Sequence, residues 1–328
     1  MLGCGIAPIR GAMDKRRIGS SDLEIAPLVL GGNVFGWTAD KETSFRILDA
    51  FVDAGGTMID TADVYSAWVE GHEGGESESV IGRWLKRHPG KGDKVQIATK
   101  AGFMQGLAPD VVRRSCDASL ARLGIERIDL YYQHKDDPDV PLADSLGAFD
   151  ALKRAGKIGA LGLSQFSAER LDEAMDVAAA EGFERPCALQ TWYNLVEREK
   201  LEGPLRDAAL RHGLGILPFY GIANGFLTGK YRTADDVAKS IRGDRVAQYL
   251  EGRGMRVLNA LDDIAAETGA ALATIALAWA IAQPGIVGAL ASATSLDQLR
   301  ELTAAMQLKL SPDQIARLDE ASAEIATA

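Results

Sequence analysis

The sequence predicts an α/β fold of the (β/α)8, or TIM barrel, class. Eight short apolar segments alternate along the 328 residues with segments of helical periodicity. Each apolar segment has the composition of a strand buried on both faces, as in a parallel sheet. Eight strand–helix units are typical of a closed barrel rather than an open sheet. No Gly-x-Gly-x-x-Gly motif follows the first strand, which disfavours an open dinucleotide-binding sheet.

The predicted elements follow one another in a regular order. A polar segment at residues 15–23 predicts a small β-hairpin before the barrel. The predicted strands cover residues 28–33, 57–59, 95–100, 128–134, 158–163, 187–191, 214–218 and 285–290. The predicted helices cover residues 41–54, 76–87, 109–123, 142–155, 168–180 and 201–212, with an extra C-terminal helix at 314–325.

The chain is expected to form one domain. Residues 1–14 predict a loose N-terminal extension, and residues 15–328 a single barrel without a linker or low-complexity segment. Two insertions, at residues 66–77 and 233–254, are too long for simple connections. Long loops on one face of a rigid scaffold usually carry binding work.

Composition argues against several classes of partner. A net charge of −10 disfavours nucleic acid and anionic membrane surfaces, although it leaves room for a small anionic ligand. Cys4, Cys116 and Cys187 form no Cys-x-x-Cys pair, and the four histidines lack metal-ligand spacing. No apolar run reaches the ~18 residues of a membrane span, and residues 1–12 lack the pattern of a secretory signal. We therefore expect a cytoplasmic protein without a metal site.

Polar side chains follow three successive predicted strands at the end where parallel α/β sheets bind ligands. Asp60 ends the second strand, and Tyr65 lies five residues later on the next loop. Lys100 ends the third strand, and His134 ends the fourth. Asp60 and Tyr65 alone could equally cap a helix and cover a loop. Together with a lysine and a histidine at neighbouring strand ends, they predict a proton-transfer set.

This set suits the protonation of an oxygen atom whose carbon accepts a hydride. Tyrosine has an ordinary pKa of about 10, so a neighbouring Lys100 ammonium would favour the phenolate, and Asp60 would hold that ammonium in place. His134 could orient a carbonyl oxygen or pass a proton. Two alternatives fit less well. Hydrolysis lacks a Ser or Cys nucleophile in an elbow motif, and a two-carboxylate glycosidase leaves the lysine and tyrosine without roles.

The motifs around these residues resemble the tetrad motifs of the aldo-keto reductases, at residues 59–65 (IDTADVY), 98–100 (ATK) and 133–137 (QHKDD). Residues 74–78 (GGESE) resemble the branch with bacterial aldo/keto reductases and potassium-channel β-subunits. The resemblance implies an NADP-dependent oxidoreductase that reduces aldehydes or ketones, or oxidises the matching alcohols. It implies Tyr65 as general acid/base, Asp60 and Lys100 as the groups that tune it, and His134 as the group that orients the carbonyl.

The resemblance also assigns cofactor contacts to residues at the ends of later strands. Gln190 resembles a glutamine that binds the nicotinamide carboxamide, and Phe219 takes the place of the aromatic residue that stacks on the ring. Lys230 matches a lysine that neutralises the pyrophosphate, or is an ordinary loop lysine. Gln165 stands where asparagine is usual, and residues 220–223 (YGIA) replace Ser-Pro-Leu-Ala. The implied pocket further includes Gly32, Asn33, Asp60, Ser164, Tyr220, Ile222 and Asn224.

The adenosine end of the cofactor is assigned by the same comparison. Thr294 and Gln298 match residues near the ribose 2′-phosphate, or simply start a helix with a capping hydroxyl. Glu301 matches a residue that holds the adenine. Arg242 is the cation expected at the 2′-phosphate, with Arg245 as its rival. The resemblance thus implies NADP(H), without excluding NAD(H).

The expected substrate is a small carbonyl compound or alcohol. Trp37, Trp68 and Trp192 fall on loops at the predicted mouth and could line an aromatic pocket beside Tyr65 and His134. They favour a flat or bulky compound, or a sugar ring, over a small charged aldehyde. A second class of function is a nicotinamide-binding sensor or partner subunit, which the intact tetrad disfavours. The sequence carries no signal for the oligomeric state.

Overall fold

In the residues that the structure describes, 14–238 and 243–324, eight parallel strands form the wall of a barrel, as predicted. The structure is a computed structural model. A hairpin of β1 (Arg16–Arg17) and β2 (Glu24–Ile25) precedes the barrel, also as predicted. The barrel strands are β3 (Leu28–Gly31), β4 (Met58–Asp60), β5 (Gln96–Ala101), β6 (Ile128–Gln133), β7 (Ile158–Ser164), β8 (Ala188–Trp192), β9 (Gly215–Phe219) and β10 (Ala289–Ala291).

The strands follow one another around the barrel in chain order, and β10 pairs with β3. A single parallel bridge between Ile216 and Ile286 closes the gap between β9 and β10. There the Ile216 N–H donates to the Gly285 carbonyl at 2.9 Å, and the Val287 N–H donates to the Ile216 carbonyl at 3.0 Å. Because all pairing is parallel, the carboxyl ends of the strands meet at one end of the barrel.

Helices surround the strands. They are α1 (Lys41–Asp53), α2 (Glu76–Arg87), α3 (Pro89–Gly92), α4 (Pro109–Leu123), α5 (Leu142–Arg154), α6 (Ala168–Glu181), α7 (Pro204–Arg211), α8 (Ala234–Ala238), α9 (Gly243–Val246), α10 (Arg253–Thr268), α11 (Leu272–Ala282), α12 (Leu296–Ala304) and α13 (Pro312–Ser322). Short 3₁₀ turns lie at Arg198–Lys200, Ala223–Thr228 and Ala247–Tyr249.

Five predicted helices, α1, α2, α4, α5 and α6, begin at the predicted residue. Local signals explain some of these ends. The Asp40 carboxylate accepts the Thr43 N–H at 2.8 Å at the start of α1, and Gly124 ends α4 in the left-handed conformation at φ 67°. The sixth helix, α7, begins at Pro204 rather than at residue 201, because Gly203 at φ 90° ends a turn there.

The sequence prediction was incomplete near the C-terminus. It missed α10, α11 and α12. Residues 273–281 of α11 are buried all round, so the helix lacks the amphipathic signal. The strand predicted at 285–290 is β10, which begins only at Ala289, after a turn at Gly285 with φ 79°. The extra C-terminal helix is α13, which begins at Pro312 with a capping box of Ser311 and Gln314. It ends at Ser322, and the predicted last residue, Ile325, lies outside the described residues.

Two apolar clusters lie on the two faces of the strands. The larger cluster fills the layer between strands and helices. The smaller fills the barrel interior with inward-facing residues such as Met58, Leu130 and Tyr132, and the hairpin residues Ile18 and Ile25 join it at the amino-terminal end of the strands. The hairpin therefore closes that end and leaves the carboxyl ends open.

No single helix in the described residues is long and apolar enough to cross a membrane. Helices α10 and α11 meet the length and composition criteria only as a pair bent by 100°.

Candidate active site

The carboxyl ends of the strands surround a cavity of about 590 Å³. Most of the predicted site residues line it: Asn33, Trp37, Asp60, Tyr65, Trp68, His134, Ser164, Gln165, Gln190, Trp192, Phe219, Tyr220, Ile222 and Asn224. A second depression of about 600 Å³, lined by Ser20, Phe183 and charged side chains of α5, is an open surface feature that includes none of these residues. The cavity at the strand ends is therefore the candidate active site.

Lys100 is the centre of a hydrogen-bonded group beneath this cavity. It is fully buried, and its Nζ donates to Asp60 Oδ1 at 2.5 Å, to the Thr61 carbonyl at 2.8 Å and to Tyr65 Oη at 3.1 Å. The second oxygen of Asp60 accepts Nε2 of Gln190 at 2.9 Å. The ends of β4, β5 and β8 thus hold these side chains, so the Tyr65 hydroxyl has a fixed position at the cavity floor.

Burial dominates the electrostatics of this group. Burial raises the pKa of Tyr65 above its ordinary value, and the Lys100 ammonium opposes that rise without cancelling it. The Lys100 ammonium thus acts on the Tyr65 pKa in the predicted direction, but the effect of burial, which was not predicted, is larger. Burial lowers the pKa of Lys100, but attraction to Asp60 outweighs it, and the net pKa is raised. At neutral pH the site therefore presents a protonated phenol hydrogen-bonded to an ammonium.

His134 lies directly after β6, where its backbone N–H donates to the Ala101 carbonyl at 2.8 Å. Its ring centroid is 5.9 Å from that of Tyr65, at an interplanar angle of 74°. Burial, reinforced by Lys100, lowers the pKa of His134 well below its ordinary value, so the imidazole is neutral at pH 7. A neutral imidazole beside the phenol can donate one hydrogen bond to an oxygen atom in the cavity.

The Gln165 side chain points to a backbone carbonyl, which the sequence did not predict. Its Nε2 donates to the His134 carbonyl at 2.9 Å, so the side chain braces the segment after β6. Its backbone has φ 56°, and Tyr220, Ala223 and Asn224, which follow β9, have φ between 47° and 59°. Left-handed backbone is uncommon for residues other than glycine and tends to cluster at functional sites.

The predicted cofactor wall contains a buried polar group that has no hydrogen-bond partner in residues 14–238 and 243–324. The Ser164 hydroxyl is enclosed at the end of β7 and makes no hydrogen bond within the described part of the chain. Phe219 ends β9, with its ring 6.0 Å from Trp192 and 5.3 Å from Tyr220. This side of the cavity thus offers one free hydroxyl group beside flat aromatic faces.

Other predicted residues lie away from the cavity lining. The backbone N–H of Gly32 donates to the Asp60 carbonyl at 2.7 Å, and Lys230 Nζ lies 4.9 Å from the Tyr231 ring centroid. Thr294 donates both its N–H and its hydroxyl to Oε1 of Gln298, at 2.9 and 3.1 Å. The carbonyl of Glu301 accepts the Thr274 hydroxyl at 2.7 Å.

Of the two candidate cations, Arg242 lies outside the described residues, whereas its rival Arg245 lines the cavity.

Phe103, Thr38 and Val64 also line the cavity, and the sequence analysis did not predict them. Phe103 follows β5 three residues after Lys100, and its ring centroid lies 4.9 Å from that of His134. Its position directly after a predicted strand could have identified Phe103 as a cavity residue.

The predicted tryptophans lie in two places around the cavity: Trp37 and Trp68 follow β3 and β4, whereas Trp192 ends β8. Trp68 lies 5.7 Å from both Trp37 and Tyr65 between ring centroids, and half of its surface is exposed. The Trp192 ring lies 4.2 Å from that of Tyr220 at a tilt of 43°, and its Nε1 donates to Glu197. Aromatic side chains thus form two walls above Tyr65 and His134.

Residues 27–323 match the Aldo/keto reductase family. The chain belongs to this family. It is 31% identical over 322 residues to the uncharacterized oxidoreductase YrpG of Bacillus subtilis, covering 94% of this chain and 95% of that protein. It is 28% identical to L-glyceraldehyde 3-phosphate reductase of Escherichia coli, with 94% and 92% covered. It is 27% identical to a probable voltage-gated potassium channel subunit beta of Oryza sativa subsp. japonica, with 94% and 96% covered.

These comparisons confirm the predicted family and the branch that includes bacterial reductases and a channel subunit. The protein is accordingly an oxidoreductase acting on carbonyl or alcohol groups of small molecules, in a family that generally depends on NAD(P)H.

Proposed function

We propose that this aldo/keto reductase uses NADP(H) to reduce an aldehyde or ketone, or to oxidise the matching alcohol, with Tyr65 as general acid/base. The observation that carries the proposal is the Lys100 ammonium, which joins Asp60 Oδ1 and Tyr65 Oη at the floor of the cavity. This ammonium neutralises the buried Asp60 carboxylate, and at 3.1 Å from the phenol it can also stabilise the phenolate that remains after proton donation.

The cavity suits a nicotinamide cofactor. The enclosed Ser164 hydroxyl has no hydrogen-bond partner among the described residues and can bind a carboxamide, and Phe219 offers a flat face for a ring. Gln190 reaches the same wall, although its Nε2 is bonded to Asp60. When bound, the cofactor would exchange a hydride with the carbonyl carbon.

The protein's own groups then control the proton. Tyr65, kept neutral by burial, donates its proton to the carbonyl oxygen during reduction. Lys100 stabilises the phenolate, and Asp60 keeps that ammonium in place. Neutral His134, enclosed beside Tyr65, orients the same oxygen. In alcohol oxidation the same groups act in reverse.

NADP(H) is preferred to NAD(H) in this proposal because a cation is available at the cavity. Arg245 lines the cavity, and its helix α9 contacts the 3₁₀ turn that carries Asn224. A guanidinium binds phosphate oxygens in a forked geometry, and NADPH carries a phosphate that NADH lacks. Thr294 and Gln298, which bond to each other, would support this end from outside the lining.

The other candidate function is a nicotinamide sensor, and the similarity to a channel β-subunit supports it. Both candidates require cofactor binding, but a sensor has no need of a positioned proton donor. The change Tyr65→Phe separates them, because it removes the hydroxyl and keeps the ring packing.

We expect Tyr65→Phe to bind NADPH with near-parent affinity, measured by fluorescence titration, and to lose at least ~100-fold in single-turnover rate on pre-bound NADPH with any accepted carbonyl. Tyr193→Phe is the matched control, because the Tyr193 hydroxyl bonds to Glu202 outside the cavity. A parent-like rate in Tyr65→Phe would overturn the assignment of the acid, and a parent protein without turnover would favour the sensor.

A further inference from the structure

A second set of charged groups lies directly behind the catalytic group. Glu78 of α2 is fully buried, and its carboxylate accepts the Thr99 hydroxyl at 2.6 Å and Nε of Arg122 at 2.7 Å. Thr99 precedes Lys100 on β5, so the Glu78–Arg122 pair is one residue from the catalytic lysine. The approach of α2 is close: a Cβ on Gly75 would lie 2.4 Å from Nε of Arg122.

Asp63 joins this set from the catalytic loop. Its backbone N–H donates to the Lys100 carbonyl at 3.1 Å, so the segment between Asp60 and Tyr65 extends the pairing of β4 with β5. The residue is partly exposed, yet its Oδ1 atom is enclosed and makes no hydrogen bond within the described residues. Asp63 is therefore fastened to the lysine by its backbone, with a carboxyl oxygen left unpaired.

The charges around Asp63 do not balance if it ionises. Glu78 faces it from α2, Arg122 from α4, Lys100 from β5 and the Tyr131 phenol from β6. Lys100 is paired with Asp60, and Arg122 is paired with Glu78. Asp63 would add a third carboxylate to two cations. Burial, with the Glu78 charge next, raises the pKa of Asp63 to about 7.

We propose that Asp63 is a positioning residue whose protonation state controls how strongly Lys100 supports Tyr65. As a neutral acid it leaves the ammonium to Asp60 and the phenol. As a carboxylate it also attracts the Lys100 ammonium, and its negative charge repels the negative charge that Tyr65 acquires when it donates its proton. Carbonyl reduction should therefore slow as Asp63 ionises. This inference rests on the proposed role of Tyr65.

The test is the pH profile of the single-turnover rate on pre-bound NADPH from pH 5.5 to pH 9. For the parent we expect the rate to fall by about three- to tenfold between pH 6 and pH 8, because one pKa unit on Tyr65 corresponds to a tenfold change in acid strength. Asp63→Asn should remove this fall and stay within about twofold across the window. Asp63→Ser is a second neutral variant and serves if the asparagine variant folds poorly.

Asp129→Asn is the matched control. Asp129 is another largely enclosed aspartate with a raised pKa, but it accepts the Ile97 N–H at 2.8 Å near the other end of the barrel. It should keep the parent profile. A fall with pH that persists in both neutral Asp63 variants, or a parent rate that does not change, would overturn the inference. Tyr65→Phe is run alongside: a parent-like rate there would mark the failure of the proposed function instead.

Discussion

At the scale of single residues, Lys100 is the group on which the site depends most. It has no exposed surface and three hydrogen-bond partners, two of which are the carboxylate and the phenol assigned to catalysis. Because Asp60 is buried with it, the lysine both supports the chemistry and neutralises a carboxylate. Its loss should therefore affect activity and stability, and the two effects can be separated.

We predict that Lys100→Met destabilises the protein by about 3–5 kcal/mol, because it leaves Asp60 as a buried charge without its cation. The double variant Asp60→Asn, Lys100→Met should regain most of that stability in chemical denaturation and remain slow in single turnover. Recovery of turnover together with stability would show that the lysine serves the fold alone.

Arg245 allows a second prediction at this scale. Arg245→Gln should weaken NADPH binding by about ten- to a hundredfold and leave NADH nearly unchanged, since charge-assisted hydrogen bonds contribute about 1.5–3 kcal/mol each. Fluorescence titration with both cofactors measures this. Arg242→Gln is the informative comparison, because the family resemblance favoured that residue. If neither change discriminates between the cofactors, the proposed NADP(H) preference is wrong.

At the scale of elements, the loop between β4 and α2 carries both Tyr65 and Trp68, and Glu76 fastens it. The Glu76 carboxylate accepts the backbone N–H groups of Ser66 at 3.1 Å, Glu73 at 3.0 Å and Gly74 at 3.1 Å. One side chain at the start of the helix therefore holds the loop against the end of the barrel.

We predict that Glu76→Ala loosens this loop, lowers kcat/KM by about one to two decades through misplacement of Tyr65, and speeds proteolytic cleavage between residues 66 and 75. Glu73→Ala is the control on the same loop, because the Glu73 side chain is exposed. Parent-like kinetics with faster cleavage would mean that Tyr65 is held by Lys100 alone.

At the scale of the whole molecule, the enclosed carboxyl of Asp63 should make stability depend on pH. Its folded pKa is about 7 and the ordinary value is 3.8, so the folded state binds more protons than the unfolded state between these values. The free energy of unfolding therefore falls as pH rises through this window. The contribution is at most roughly 4 kcal/mol, from three units at 1.36 kcal/mol each.

We predict that the melting temperature of Asp63→Asn minus that of the parent grows from pH 4 to pH 7 and is constant above. Taking the difference cancels His134, whose lowered pKa acts in the opposite direction, so that stability falls as pH drops below 6.5. A difference that does not vary with pH would show that Asp63 is ionised throughout the range.

Spacing along the chain was enough to predict the barrel and the set of Asp60, Lys100 and His134 at neighbouring strand ends. Alternating apolar and helical segments specify parallel strands buried on both faces, and residues at the ends of such strands must meet at one end of the barrel. Asp60, Lys100 and His134 come together for this reason, although 40 residues separate the first two. These two patterns, the strand–helix alternation and the polar residues at strand ends, can be predicted because both depend on spacing along the chain.

The directions of side chains and the charges that share one environment depend on packing between elements, which spacing along the chain does not reveal. Gln165 donates to the His134 carbonyl, and Thr294 and Gln298 bond to each other. Helix α11 was not predicted because it is buried all round and lacks amphipathic periodicity. The position of Asp63 between Lys100 and the Glu78–Arg122 pair depends on contacts among four elements. The effect of burial on the pKa of Tyr65 depends likewise on how closely the barrel packs around it, because desolvation is set by every neighbouring atom and not by sequence spacing.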